Sequence, residues 1–274
     1  RERPLACGLA QLTSLLRTAC GEGGRALASS AVAAAVSARS AGMAETPLHS
    51  AAIAGEASTA ALLLAHGCSP DLKDAKGCTP LLRAVFEGRV EVVRMLLATG
   101  NVDLHRCNHG MESPAYLAAL RGHADCLELL LASPRGPIDL PRDGGDESRV
   151  ARADDRATNE VAGADRPASS CRREWKDAHF HDGYTPLHAA VIARSLRCVE
   201  LLLACGFDPS AQNKYDQTAL HIAASLEARP GCAAPLRSAE LLLTAGCDVT
   251  LKDERGDTAA KVAARKGQLQ IAQR

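Results

Sequence analysis

The 274 residues carry 32 basic and 32 acidic side chains, so the net charge is zero and the basic excess of a typical nucleic-acid-binding protein is missing. Hydrophobic residues make up 46% of the chain and aromatic residues only 3%, which suits closely packed helices better than a wide β-sandwich core. The eleven cysteines are odd in number and include no CxxC pair, which indicates reduced thiols, and no stretch reaches the roughly 20 apolar residues of a membrane span.

The first predicted element is a helix near the start of the chain. The segment Gly8-Leu-Ala-Gln-Leu12, the pair Leu15-Leu16 and then Gly21 have the spacing of an apolar helix that ends at a glycine. Residues 22–42 follow as a stretch rich in Gly, Ala and Ser. A repeated pattern begins directly after them.

The pattern opens with a short motif that recurs about every 33 residues. Its strong copies are Thr46-Pro-Leu-His49, Thr79-Pro-Leu-Leu82, Thr185-Pro-Leu-His188 and Thr218-Ala-Leu-His221, and its weaker copies are Ser113-Pro-Ala-Tyr116 and Thr258-Ala-Ala-Lys261. A hydroxyl residue followed by proline is typical of a helix start, because the side chain caps the helix and proline fits the first turn. Each motif therefore predicts the beginning of a helix.

A second shared block follows each strong opening about twelve residues later. The blocks are Ala60-Ala-Leu-Leu-Leu64, Val92-Val-Arg-Met-Leu-Leu97, Cys126-Leu-Glu-Leu-Leu-Leu131, Cys198-Val-Glu-Leu-Leu-Leu203 and Ala239-Glu-Leu-Leu-Leu243. A glycine comes soon after most of them, where a helix end favours a left-handed residue. The blocks therefore predict the buried faces of second helices.

This combination resembles the ankyrin repeat, whose unit has a TPLHxA opening and a period of 33 residues. The resemblance covers roughly residues 43–140 and 179–274 and implies an all-α solenoid. Each unit would consist of a β-turn finger, a short first helix, a tight turn, a second helix and a returning loop. Residues 1–21 are then interpreted as the back half of an earlier repeat, giving about six repeats after a partial leading one.

Three segments depart from the repeat pattern. Residues 141–178 contain eight basic and nine acidic residues and few apolar ones, which predicts a disordered insertion. A decayed repeat is the alternative, because Ser113 and Thr185 are two periods plus six residues apart. Residues 228–235 widen a helix–helix turn, and the polar end after residue 267 is either a capping repeat or part of a longer array.

We therefore expect four regions in the chain. Residues 1–42 hold the partial leading repeat and the Ala/Gly/Ser-rich insertion, and residues 43–140 hold three repeats. Residues 141–178 form the charged insertion, and residues 179–274 hold two repeats plus a partial or capping repeat.

No residue set in the sequence favours catalysis, a metal or a cofactor. The resemblance implies that His49, His188 and His221 hydrogen-bond within and between repeats, and one-repeat spacing of about 10 Å is too wide for a shared zinc. His105, Cys107 and His109, and separately Cys171, His179 and His181, lack a dependable zinc spacing. No nucleophile or phosphate-binding motif occurs either, so we expect no catalytic, cofactor or metal site.

The resemblance instead implies that a partner docks on the concave face, which is formed by the fingers and the exposed side of the first helices. Carried over repeat by repeat, this predicts a partner-binding set of Arg83, Phe86, Glu87, Leu120, Arg121, Tyr184, Ile192 and Tyr215. First-helix positions at Ser50, Ile53, Leu117, Ala189, Ile222 and Ser225, and finger positions at Lys73, Lys76, Arg106, His109, Phe180 and Lys214, would extend this surface. Aromatic and arginine side chains are the ones that dominate protein interfaces.

The sequence thus predicts a non-enzymatic scaffold for protein–protein interaction. Two alternatives remain open: a substrate-receptor subunit of a ubiquitin ligase, and a regulatory module of a larger enzyme or channel. We expect a monomeric intracellular protein, cytoplasmic or nuclear, that binds a protein partner and neither nucleic acid nor membrane.

Overall fold

The computed structural model describes residues 38–40, 42–133, 181–226 and 234–268. The predicted leading helix, the Ala/Gly/Ser-rich stretch, the charged insertion 141–178 and most of the widened turn lie outside these ranges. The segments that are described contain eleven α-helices, arranged as five pairs and one final helix.

The helices follow one another in the order expected for a helical repeat. They are α1 (Pro47–Ala54), α2 (Ala57–Ala65), α3 (Pro80–Phe86), α4 (Val90–Ala98), α5 (Pro114–Arg121), α6 (Ala124–Ala132), α7 (Pro186–Ile192), α8 (Leu196–Ala204), α9 (Ala219–Ser225), α10 (Ala234–Thr244) and α11 (Ala259–Arg265). The odd-numbered helices are the first helices of their repeats and each begins directly after a Thr or Ser of the opening motif. The predicted all-α repeat architecture is therefore confirmed.

The opening hydroxyl residues start the first helices by capping them. The side chains of Thr79 and Ser113 accept hydrogen bonds from the backbone N–H groups of Leu82 and Tyr116, at 3.3 and 3.2 Å. A cap of this kind satisfies an N–H group that has no partner inside the helix, and proline at the next position has no N–H to satisfy. The recurring motif therefore specifies where each first helix begins.

The helices form two layers. First helices pack side by side from α1 to α11, and second helices pack in the same order from α2 to α10. The middle leucine of every LLL-type block is completely buried between the layers: Leu63, Leu96, Leu130, Leu202 and Leu242. Helix α5 packs directly on α7, and α6 on α8, so the stacking continues across the gap between residues 133 and 181.

An Asp or Asn, buried in three cases and partly buried at Asn108, organises each of four fingers. Asp74, Asn108, Asn213 and Asp253 all stand five residues before the opening Thr or Ser. In every case Oδ1 accepts hydrogen bonds from the N–H groups two and four residues later, at 2.8–3.0 Å. These side-chain hydrogen bonds hold the finger in its turn, and no pairing with a β-strand is needed.

Neighbouring fingers are also joined to one another by backbone hydrogen bonds. The N–H groups of Ala75, His109, Lys214 and Glu254 donate to the carbonyl oxygens of Met43, Lys76, Asp182 and Tyr215 in the preceding finger, at 2.8–3.1 Å. The fingers therefore form a ladder whose bonds all run in the same direction along the chain.

The finger residue two positions before the opening motif has a positive φ angle in every repeat. Gly77, Gly183 and Gly256 occupy this position in three repeats, and Ala44, Met111 and Asp216 occupy it in the other three, Met111 with a φ of 60°. A side chain with a Cβ atom is disfavoured there, and Met111 is 58% exposed, so it gains little from packing.

Replacing Met111 by glycine is therefore expected to raise the free energy of unfolding by about 0.5 kcal/mol, because relief of backbone strain outweighs the added freedom of the unfolded chain. Urea denaturation followed by circular dichroism measures this difference. Met111→Ala is the matched control: it shortens the side chain but keeps the Cβ atom, so it should give no gain. Equal stabilisation by both variants would contradict the explanation.

Candidate protein-binding face

The three motif histidines link successive repeats. In His49, His188 and His221, Nδ1 accepts the N–H group of the opening threonine at 3.0–3.2 Å. Since Nδ1 is an acceptor, the proton lies on Nε2, which donates to the carbonyl oxygens of Cys78, Gln217 and Asp257 at 2.9–3.2 Å. The prediction of hydrogen bonds within and between repeats is confirmed, and both ring nitrogens are in use.

Acid should weaken the first of these links. His49 is completely buried, and burial lowers the pKa of its imidazole below 6.5, although the bond to Cys78 partly opposes this. A lowered pKa in the folded state means that the unfolded state binds the proton more readily. The contribution of His49 to stability is therefore fully present above about pH 6.5 and is lost as the pH falls through the lowered pKa.

We expect the stability difference between the wild type and His49→Leu to shrink between pH 7.5 and pH 5. Leucine is the reference because Leu82 holds the equivalent position in the next repeat. Urea denaturation of both proteins at the two pH values gives the difference in the free energy of unfolding. The effects of acid on all other groups cancel in this difference because both proteins share them. A difference that is the same at both pH values would contradict the role of His49.

Arg83, predicted for the partner-binding set, is held in place by two carboxylates. Its guanidinium contacts Asp74 Oδ2, with Nε at 2.7 Å, and lies 3.7 Å from Glu45. The Asp74 side chain is fully inaccessible to solvent, whereas that of Arg83 is 15% exposed. Burial by itself raises the pKa of Asp74, but hydrogen bonds from the Cys78 amide and from Arg83 outweigh it, so the pKa is lowered. Arg83 thus fastens a finger to a first helix.

The same position on other first helices is buried. Arg83 stands four residues after its opening threonine, and the equivalent residues are Ser50, Leu117, Ala189 and Ile222, all no more than 8% exposed. The prediction that these four extend the docking surface is wrong, because the first helices pack closely enough to cover this position. This position therefore offers little accessible surface on those four helices.

A row of apolar side chains crosses the first-helix layer, seven residues after the opening Thr or Ser of the first four repeats. The row consists of Ile53, Phe86, Leu120 and Ile192. All four are at least partly accessible, and Ile192 is 38% exposed. Because α1, α3, α5 and α7 pack side by side, these residues form a continuous stripe, which we call the apolar stripe.

Arg121 of α5 lies over the face of the Phe86 ring, with its guanidinium carbon 4.3 Å from the ring centroid. A cation at this distance is attracted by the ring, and the contact limits the rotamers of the arginine. Glu87 is the exposed residue next to Phe86. Four residues of the predicted set, Phe86, Glu87, Leu120 and Arg121, thus occupy the last turns of α3 and α5 or the residue that follows them.

The two predicted tyrosines lie in the fingers of later repeats. The Tyr184 ring meets the His188 ring edge-on, with centroids 5.7 Å apart, and burial raises the pKa of its hydroxyl. The Lys214 ammonium lies over the face of the Tyr215 ring, 4.9 Å from the ring centroid. Both rings are partly exposed and fixed by neighbours, while Phe180 lies outside the described residues.

The described ranges contain no cluster of three or more His, Cys, Asp or Glu side chains able to hold a metal ion. His105, Cys107 and His109 are thus not brought together as ligands, whereas Cys171 and His179 lie outside these ranges. Buried thiols are also poor nucleophiles here: burial, aided by Asp125, raises the pKa of Cys126 to about 11. None of the helices that the structure describes is both long and apolar enough to cross a membrane.

A sequence profile described as ankyrin repeats (3 copies) matches residues 16–108 and 165–253, which is more than half of the chain. The chain belongs to the ankyrin-repeat family. The crystal structure of the ankyrin repeat domain of Bcl-3, a member of the IkappaB protein family, is similar with a TM-score of 0.65 and 24% sequence identity. It covers 99% of this chain and 97% of that domain, and at this identity it supports the fold alone.

Two other proteins are similar in sequence to part of this chain. A probable E3 ubiquitin-protein ligase, XBOS32 of Oryza sativa subsp. japonica, is 32% identical over 180 residues, covering 59% of this chain and 31% of that protein. The nuclear factor NF-kappa-B p105 subunit of Gallus gallus is 31% identical over 174 residues, covering 59% of this chain and 17% of that protein. The chain spans less than a third of the length of each.

Sequence reasoning missed the residue that closes the fingers, although a signal for it was present. An Asp or Asn stands five residues before the opening motif in four repeats, at positions 74, 108, 213 and 253. This spacing follows the same period as the motif itself. Phe180 stands at the equivalent place before Thr185, so the fourth finger departs from the rule.

Proposed function

We propose that this chain is a non-enzymatic protein-interaction scaffold whose partner docks on the concave face. The observation that carries this proposal is the apolar stripe. Its four side chains stay partly exposed, whereas the middle leucines of the LLL-type blocks on the second helices are completely buried. A partly exposed apolar stripe with an arginine packed against it has the composition of an interface centre.

The finger ladder supports the same proposal. Four fingers are closed by an Asp or Asn side chain, and four hydrogen bonds join neighbouring fingers, so this part of the face is formed before a partner arrives. A preformed surface loses little conformational entropy when it binds, and this loss is a main cost of association. The set we propose for partner contact remains Arg83, Phe86, Glu87, Leu120, Arg121, Tyr184, Ile192 and Tyr215, with Arg83 acting mainly as a support.

A second candidate function is the substrate-receptor part of a ubiquitin ligase. The observation in its favour is that the rice relative is named a probable E3 ubiquitin-protein ligase. A regulatory module of a larger enzyme or channel uses the same face in a different assembly. In each case we propose an intracellular monomer that binds protein and neither nucleic acid nor membrane.

Quantitative affinity capture from cell extract tests the concave face. The test variant combines Phe86→Ala with Ile192→Ser, and the matched control combines Glu91→Ala with Arg94→Ala, two exposed residues of second helix α4. We expect specific partners to be lost with the test variant and retained with the control, while both keep their helical circular dichroism. Retention of all partners by the test variant would mean that docking occurs elsewhere.

We also propose that residues 141–178 are dispensable for folding of the array. Because α5 already packs on α7, the flanking repeats do not need the intervening sequence to stack. Replacing these residues by a short Gly/Ser linker is expected to change the free energy of unfolding by no more than roughly 0.5 kcal/mol. Urea denaturation measures this, and a scrambled segment of full length serves as the control. A large loss with the linker alone would contradict the proposed division of the chain.

A further inference from the structure

We infer that the concave face over the second and third repeats takes an acidic, apolar-containing segment of a partner protein. The inference rests on the proposed function and adds the chemistry of the ligand. It concerns three exposed cations of the second and third repeats, Lys73, Lys76 and Arg121, which we call the basic rim, together with Phe86 and Leu120 of the apolar stripe. Of these two apolar residues, Phe86 contacts Arg121.

The basic rim carries charge that the described part of the protein does not neutralise. Within the described residues, no carboxylate oxygen lies within 4.0 Å of a side-chain nitrogen of Lys73, Lys76 or Arg121. Lys73 and Lys76 are exposed on the second finger, and Arg121 is exposed at the end of α5. These charges therefore face solvent, where a ligand can reach them.

Other cations of the concave face are already paired. Arg83 contacts Asp74, Arg106 lies 3.5 Å from Asp103, and Lys214 contacts Asp182. Pairing thus cancels the charge of these fingers but leaves the basic rim positive. Glu87, which follows Phe86 in the chain, is an exposed carboxylate of the same face.

The position of Arg121 favours a carboxylate ligand in particular. Its guanidinium carbon lies 4.3 Å from the Phe86 centroid, and this contact restricts the positions that the guanidinium takes. A planar guanidinium binds a carboxylate through two parallel hydrogen bonds, and fixing it beforehand reduces the entropy lost on binding. The apolar surface of Phe86 and Leu120 beside it is complementary to an aliphatic side chain of the same segment.

A protein segment fits these features better than a nucleic acid does. Nucleic-acid binding relies on many phosphate contacts, whereas the rim offers three cations and is interrupted by Glu87. The apolar stripe gains nothing from a phosphate backbone. An acidic segment with an aliphatic residue satisfies both the charge and the apolar surface.

The test uses the full chain and a displayed library of random 16-residue peptides, followed by fluorescence anisotropy with the selected peptides. We expect peptides enriched in Asp and Glu around an aliphatic residue, with affinity that falls as salt is added. The double variant Lys76→Glu/Arg121→Glu should lower their affinity about tenfold or more. The matched control, Lys261→Glu/Lys266→Glu, reverses two exposed lysines in or next to α11 and should leave it unchanged.

Each other outcome has a definite meaning. Peptides that are not acidic, and that depend on Phe86 and Ile192 but not on the rim, would overturn this inference and support the proposed function. Peptides insensitive to every concave-face variant would overturn both. A library without any binder overturns the inference, as does tighter, rim-dependent binding of a 20-nucleotide single-stranded DNA included as a parallel probe.

Discussion

Replacing Leu127 by alanine is expected to lower the free energy of unfolding by about 3 kcal/mol. Leu127 lies in α6, is 0% exposed and belongs to the main hydrophobic core. Alanine removes three buried carbons and leaves a cavity, because closely packed helices relax only partly around the missing volume. Urea denaturation followed by circular dichroism measures the loss.

Leu129 provides the matched control, since it lies two residues further along the same helix and is only partly buried. Leu129→Ala should therefore cost about 1 kcal/mol. Leu127 also lies in the middle of the array, and repeats are stabilised mainly by their nearest neighbours. We expect Leu127→Ala to broaden the unfolding transition, as the two halves begin to unfold separately. Equal losses for both variants would contradict the assignment of Leu127 to the core.

Replacing Asp74 by alanine is expected to cost about 3 kcal/mol, a similarly large effect from a polar residue. The carboxylate accepts N–H groups from Lys76 and Cys78 in the finger and pairs with the partly buried Arg83 on the helix. Its removal leaves two backbone donors without this acceptor and leaves Arg83 with only the more distant Glu45.

Asp74→Asn separates the two roles of this side chain. Asparagine occupies the equivalent position at Asn108 and Asn213, so it can close the finger but cannot neutralise Arg83. We expect it to cost about half as much as alanine. The pKa of Asp74 is lowered from 3.8, so its contribution is present above that pH and is lost as the pH falls through the lowered value. A wild-type stability that does not fall more steeply with acid than that of Asp74→Asn would contradict the ion pair.

The repeated elements were predictable because each depends on local sequence. A cap, a proline, an apolar block and a closing glycine act within one helix, so the spacing of Thr79 and Leu96 is enough to place both helices of a repeat. The candidate site depends on distances between repeats. Phe86 and Arg121 were predicted for the same concave face, but the stacking of the guanidinium on the ring arises only because α3 packs on α5.

What the sequence did not reveal has the same physical origin. Arg83 was assigned to the concave face by carrying over the family's positions and remains a proposed contact, but its pair with Asp74 depends on the finger geometry. Leu117 and Ala189 were assigned in the same way, but neighbouring helices cover them. Residue type and helical period describe one helix, whereas burial is set by how closely the next helix approaches.

The one-way ladder between fingers has a consequence for how such a chain can change during evolution. In each of the four finger-to-finger bonds, a backbone N–H donates to a carbonyl of the finger before it, and the motif histidines reach only to the next repeat, as His188 reaches Gln217. A tandem duplication or deletion of one whole unit therefore preserves these hydrogen bonds between repeats, wherever within the unit the duplicated or deleted segment begins. Gain or loss of part of a unit would break the match on both sides.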